Sequence, residues 1–149
     1  MARRLLLALI VAGACAAAAG ATIRVQHGIA GVTIGMSQAK VRSVLGKPAK
    51  VIRGSNAFGR YERYRYAGLT LDFQGPGPLS YISTVRRSER TPQGIGVGST
   101  QAQVKHKVRN VKCYANLCTV GNSLAGRIVT TFYLRRGVVR QVSVGRVID

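Results

Sequence analysis

Acidic side chains are scarce in this chain: Glu62, Asp72, Glu89 and Asp149 stand against 23 lysines and arginines in 149 residues. Paired-carboxylate chemistry therefore has almost no candidates. Tryptophan is absent, and histidine occurs only as His27 and His106. Cysteine is present three times, at Cys15, Cys113 and Cys118, too few for a disulfide-dense scaffold. The longest apolar run, Leu5 to Ala19, falls short of the roughly 20 residues that a membrane-spanning helix needs.

That run has a different meaning from its flanks. Arg3 and Arg4 precede it, and Ala19, Gly20 and Ala21 follow, so residues 1–21 read as a secretory signal cleaved after Ala21. Ala12, Gly13 and Ala14 before Cys15 raise lipidation as an alternative, although the large aliphatic residue expected three positions before a lipidated cysteine is missing. Taking 21 residues from 149 leaves 128, enough for one ordinary domain or two small repeats sharing a core. Taking Arg3 and Arg4 from the net charge of +19 leaves +17, a surface that attracts anions by its long-range field. The expected product is exported, and is either secreted or associated with the cell envelope.

Gly31 to Leu45 can be set against Gly94 to Val108. Gly31/Gly94, Gly35/Gly98, Gln38/Gln101, Ala39/Ala102 and Val41/Val104 are identical. Ser37 is placed to cap a helix whose apolar stripe is Val41, Val44 and Leu45, with Gly46 and Pro48 ending it. Thr100 and Val104 repeat the pattern. After each helix the apolar period drops to two, which predicts antiparallel strands near Lys50 to Arg53, Arg60 to Tyr66, Leu69 to Phe73, Leu79 to Val85, Arg127 to Leu134 and Val138 to Ile148. A turn at Ala67 and Gly68 would set Tyr64 opposite Leu71 and Arg63 opposite Asp72. A turn at Ala115 and Asn116 would set Cys113 opposite Cys118, within disulfide range. The expected fold class is α+β: two tandem repeats of short helices packed on a small antiparallel β-sheet, over residues 22–90 and 91–149, the second carrying the disulfide.

The stretch Ile34, Gly35, Met36, Ser37, Gln38, Ala39, Lys40, Val41, followed by Leu45, Gly46 and Pro48, resembles the helix-start motif of the SmpA/OmlA outer-membrane lipoproteins and of the β-lactamase inhibitory protein. The inhibitor is the closer likeness, being secreted, tandem and provided with a cysteine pair after a helix. The resemblance implies a sheet whose exposed surface binds another protein. No inhibitory loop or contact residue matches, so inhibition of a β-lactamase is not part of the expectation.

Catalytic constellations are thin. The predicted register puts Glu62 and Asp72 on opposite faces, with Arg63 the nearer partner of Asp72. Gly121, Asn122, Ser123, Leu124 and Ala125 lack the last glycine of a nucleophile elbow. Gly94, Gly96 and Gly98 imitate a dinucleotide fingerprint without a ribose-binding acid. His106, between Lys105 and Lys107, fits a solvated helix face. The expectation is a non-catalytic binding module with no cofactor and no metal, engaging an acidic protein partner in the cell envelope or exterior through Tyr61, Arg63, Arg65 and Tyr133. Electrostatic attachment to an anionic cell-surface polymer or membrane is the alternative. Nucleic acid is the less expected partner, because alternation on any solvent-facing strand produces the same mixture of arginine and tyrosine.

Overall fold

A computed structural model describes residues 21–148. The secretory signal expected over residues 1–21, Cys15 included, lies outside the described residues apart from Ala21. The elements are β1 Ile23–Arg24, β2 Gly28–Ile29, β3 Val32–Thr33, α1 Gln38–Leu45, β4 Lys50–Asn56, β5 Gly59–Tyr66, β6 Leu69–Gln74, β7 Leu79–Thr84, α2 Gln101–Lys107, β8 Lys112–Tyr114, β9 Leu117–Val120, β10 Ile128–Arg135 and β11 Val138–Arg146.

Both helices begin as their sequences dictate. The Ser37 side chain accepts a hydrogen bond from the Lys40 N–H, and Gly46 ends α1 at φ 78°. Thr100 accepts from the Gln103 N–H while the Gln103 side chain returns the bond to the Thr100 N–H, a complete capping box. Gly35 and Gly98, just before the caps, sit at φ 97° and 98°, where a side chain would be strained. Each glycine anchors its helix to the sheet: the Gly35 N–H donates to the Leu79 carbonyl and the Gly98 N–H to the Val139 carbonyl.

The fold class departs from the α+β repeat expected above. The described residues are 47% strand and 12% helix, and α1 and α2 bury one residue each, Val41 and Val104. Eight strands form one antiparallel sheet in the order β4-β5-β6-β7-β11-β10-β9-β8, beside a small three-stranded sheet β1-β2-β3. β7 pairs directly with β11, with Val142 opposite Thr84 and Val144 opposite Ile82. The physical reason lies in the edges. Two separate small sheets would leave β7 and β11 with unpaired backbone groups beside apolar side chains, and pairing them satisfies those groups and merges the cores.

The sheet is buried on one side only. In strand order, Tyr64, Leu71, Ile82, Val144, Thr130 and Val120 lie opposite one another in a row across it. The neighbouring row runs Tyr66, Leu69, Thr84, Val142, Phe132 and Cys118 to Cys113. Val41 and Val104 from the helices, Ile23, Ile29 and Val32 from the small sheet, and Ile95, Val97 and Val108 from the connections cover both rows. Buried Tyr64 meets Phe73 in a tilted ring contact at 4.8 Å, and its hydroxyl donates to Gln38 Oε1 at 2.9 Å while accepting from Arg42. Cys113 and Cys118 are disulfide-bonded with Cα atoms 4.0 Å apart, closing the outermost hairpin.

Ile82 is fully buried where β7 meets β11. Ile82→Ala should lower stability by about 2–5 kcal/mol, with one unfolding transition in both proteins because a single core spans the sheet. Denaturant unfolding followed by fluorescence and far-UV circular dichroism checks this, and two separated transitions in the wild type would contradict the shared core.

Candidate functional site

The helices and the small sheet pack on one side, and among the described residues no helix or second sheet covers the other face of the eight-stranded sheet. One residue per strand forms a row across it: Lys50, Arg65, Thr70, Ser83, Ser143, Thr131, Thr119 and Lys112. At about 4.8 Å between strands the row spans roughly 34 Å. Its middle is five small hydroxyl residues and its ends are cationic. Ser83 and Ser143 are buried although they face outward.

Tyrosines flank the row. Tyr81 lies opposite Asp72 on one side and Gly145 on the other, and Tyr133 lies opposite Gln141 and Leu117. The Gln141 side-chain amide donates to the Tyr81 hydroxyl at 3.3 Å. Burial raises the Tyr81 pKa above the ordinary value of 10.0, with the neighbouring Ser143 hydroxyl pulling it back. Tyr133 is 39% exposed and Tyr114, on the outermost strand, 63%. Two depressions open on this face: one of about 370 Å³ bordered by Tyr61, Arg63, Asp72, Tyr81 and Arg146, and one of about 260 Å³ bordered by Arg65, Thr70, Ser83 and Gln141.

All four residues singled out from the sequence, Tyr61, Arg63, Arg65 and Tyr133, are on this face, at register positions that point away from the core. They are not chemically equivalent. Arg63 is committed to Asp72 by two bonds, Nε to Oδ1 at 2.6 Å and Nη2 to Oδ2 at 2.8 Å. That charge-assisted fork raises the Arg63 pKa above its ordinary value. Arg65 is exposed, and no carboxylate pairs with it among the described residues. Tyr61 stacks over Gly54, where any side chain would collide with its ring, and is several strands from Tyr133. Sequence reading missed Tyr81, Ser83, Gln141 and Ser143. The alternation in β7 and β11 carried the signal, but only the pairing of those two strands brings the residues into one row.

Other candidates separate. Glu62 is on the covered side and pairs with Arg53 at 3.0 Å, away from Asp72. His106 is exposed on α2. Among the described residues no three His, Cys, Asp or Glu side chains come together as metal ligands. A larger groove, about 720 Å³, runs beside β4 and β5 between Gln38, Arg53, Tyr61, Glu62 and Pro76.

No family model matches the chain, and no curated protein does. Solved structures do. An extracellular protein containing a SCP domain from Bacillus anthracis is similar to this chain with a TM-score of 0.53 and 11% identity, over 76% of this chain and 44% of that one. This chain thus spans less than half of that protein, and the likeness concerns the fold alone. A DUF4309 family protein from Bacillus subtilis has a TM-score of 0.47 at 17% identity, covering 79% of this chain and 84% of its own. The uncharacterized protein yfeY from Escherichia coli has a TM-score of 0.49 at 10% identity, covering 85% and 97%. The resemblance to SmpA/OmlA lipoproteins and the β-lactamase inhibitory protein is therefore corrected: the similar structures are of other kinds. The motif behind it, Ile34 to Val41 with Gly46 and Pro48, encodes the start and stop of one short helix, and caps of that kind are compatible with many topologies.

Since the folded state favours the neutral Tyr81 phenol, its contribution to stability is complete below the unfolded pKa of about 10 and is lost as pH rises through the higher folded value. Denaturation midpoints measured from about pH 9 to about pH 12 should fall less steeply for Tyr81→Phe than for the wild type. Parallel curves would show that Tyr81 is no more protected than a free tyrosine.

Proposed function

We propose that this chain is an exported, non-catalytic binding module of the cell envelope or exterior, whose uncovered sheet face engages a protein partner with an acidic surface. The observation that carries the reading is the hydroxyl row between Lys50 and Lys112, bordered by Tyr81 and Tyr133 and lined with unpaired Arg65. Tyrosine provides large contact area at modest entropic cost, arginine adds charge on a planar fork of donors, and the half-buried hydroxyls of Thr70, Thr119 and Thr131 between them accept or donate as a partner requires. A net charge of +17 beyond the expected signal steers an acidic surface toward the face. Export is supported by the leader pattern and by the Cys113–Cys118 disulfide, a bond that persists in oxidising compartments.

The row also ranks the residues. Arg65 and Tyr133 are free to contact a partner, whereas Arg63 first has to leave Asp72 or approach as a neutral pair. Capture of envelope and culture-fluid proteins, followed by titration of the retained species, tests this. Arg65→Ala and Tyr133→Ala should each weaken saturable binding by about tenfold or more, about 1.4 kcal/mol, and Arg63→Ala by less. Affinity that declines steadily with salt and ignores any single substitution would instead indicate attachment to an anionic polymer or membrane, and would overturn the proposal.

A further inference from the structure

A second cationic site lies outside the sheet face, between the segment that follows β7 and one side of α2. Arg87, Arg90, Gly98, Ser99, Gln103 and Lys107 border an open cavity of about 360 Å³ at the surface. Gln103 and Lys107 are four residues apart and so share a face of α2. Arg87 lies against Gly98, where even a methyl group would come within 3.5 Å of its Nη1.

The polar side chains lining this cavity have donors to offer. Ser99 is buried, and its Oγ accepts from the Gly96 N–H at 3.1 Å and from Arg90 Nη1 at 3.4 Å, which leaves the hydroxyl hydrogen to donate. Gln103 Oε1 is occupied by the Thr100 N–H at 2.9 Å, so its free group is the amide NH₂. Among the described residues, the carboxylates that pair with arginine do so elsewhere, on Arg53, Arg63 and Arg86. Glu89, the acid nearest in sequence, is buried against Arg86 and does not border the cavity. Three cations, a hydroxyl and an amide therefore converge on one concavity with no acid among its lining residues.

We infer that this cavity binds a phosphoryl group, free or as the monoester of a small molecule, through Arg87, Arg90 and Lys107, with Ser99 and Gln103 donating to its oxygens. Three positive charges match a group carrying close to two negative charges better than a carboxylate carrying one. Guanidinium groups suit its several acceptor oxygens, and Ser99 holds Arg90 in place before the ligand arrives. The site is independent of the sheet face, and neither needs the other.

Calorimetric titration of the 22–149 protein with inorganic phosphate and with glycerol phosphate, at constant ionic strength in chloride, provides the test. One saturable equivalent is expected for at least one of the two, and which binds more tightly tells whether the group arrives free or esterified. Arg87→Gln combined with Lys107→Gln should weaken binding at least tenfold, and both side chains are exposed, so the fold is spared. Arg60→Gln combined with Arg127→Gln removes the same charge from exposed positions that do not border the cavity, at the other end of the sheet from Gly98 and Ser99, and should change affinity less than twofold. Equal weakening by both pairs would mean that the diffuse charge alone attracts phosphate, and would overturn the site. Acetate binding as tightly as phosphate would overturn the phosphoryl assignment, and an absence of saturation would overturn both.

Discussion

Antiparallel pairing of β7 with β11 is the contact on which the rest of the molecule depends. It turns the strands that follow α1 and those that follow α2 into one sheet, and it places Ile82, Val142 and Val144 at the centre of one core. It also aligns Ser83 with Ser143, without which the row on the opposite face would be two unrelated fragments. Strand pairing thus sets hydrophobic burial and surface pattern together, because alternate side chains of the same strands point to the two faces.

One-sided burial follows from how little helix the described residues contain. Two helices of eight and seven residues, with the small β1-β2-β3 sheet, suffice to cover one face of eight strands and leave nothing for the other. The uncovered face is accordingly polar, with Thr, Ser, Gln, Arg and Tyr in place of the Val, Ile, Leu and Phe that fill the covered one. Charge is distributed with the same economy. Glu62, Asp72 and Glu89 each neutralise one arginine, so the remaining cations act on whatever approaches from outside. Their mutual repulsion opposes compactness, and the continuous core and its terminal disulfide oppose that repulsion.

Local features were legible in the residues themselves. Ser37 and Thr100 cap helices, Gly46 and Asn110 take positive φ near their ends, and Tyr64 faces Leu71 across a tight turn, because each depends on neighbours a few positions away. The Cys113 to Cys118 pairing followed from a two-residue turn for the same reason. The weight given to the two helices was misleading. Their caps are conspicuous in sequence, whereas β1, β2 and β3, two residues each, leave no periodic trace.

What the sequence determined by itself was therefore the alternation that sends Arg63, Arg65 and Tyr61 to one side of β5, the chain-local turns, and the excess of positive charge. Tertiary structure decided which strand edges meet, that Asp72 occupies Arg63, and that Arg87 and Arg90 border one depression with Lys107. The division has a physical cause. Backbone dihedrals and side-chain alternation are set over a few residues, but the satisfaction of an open strand edge and the convergence of like charges depend on groups far apart in the chain, brought together only when the core closes.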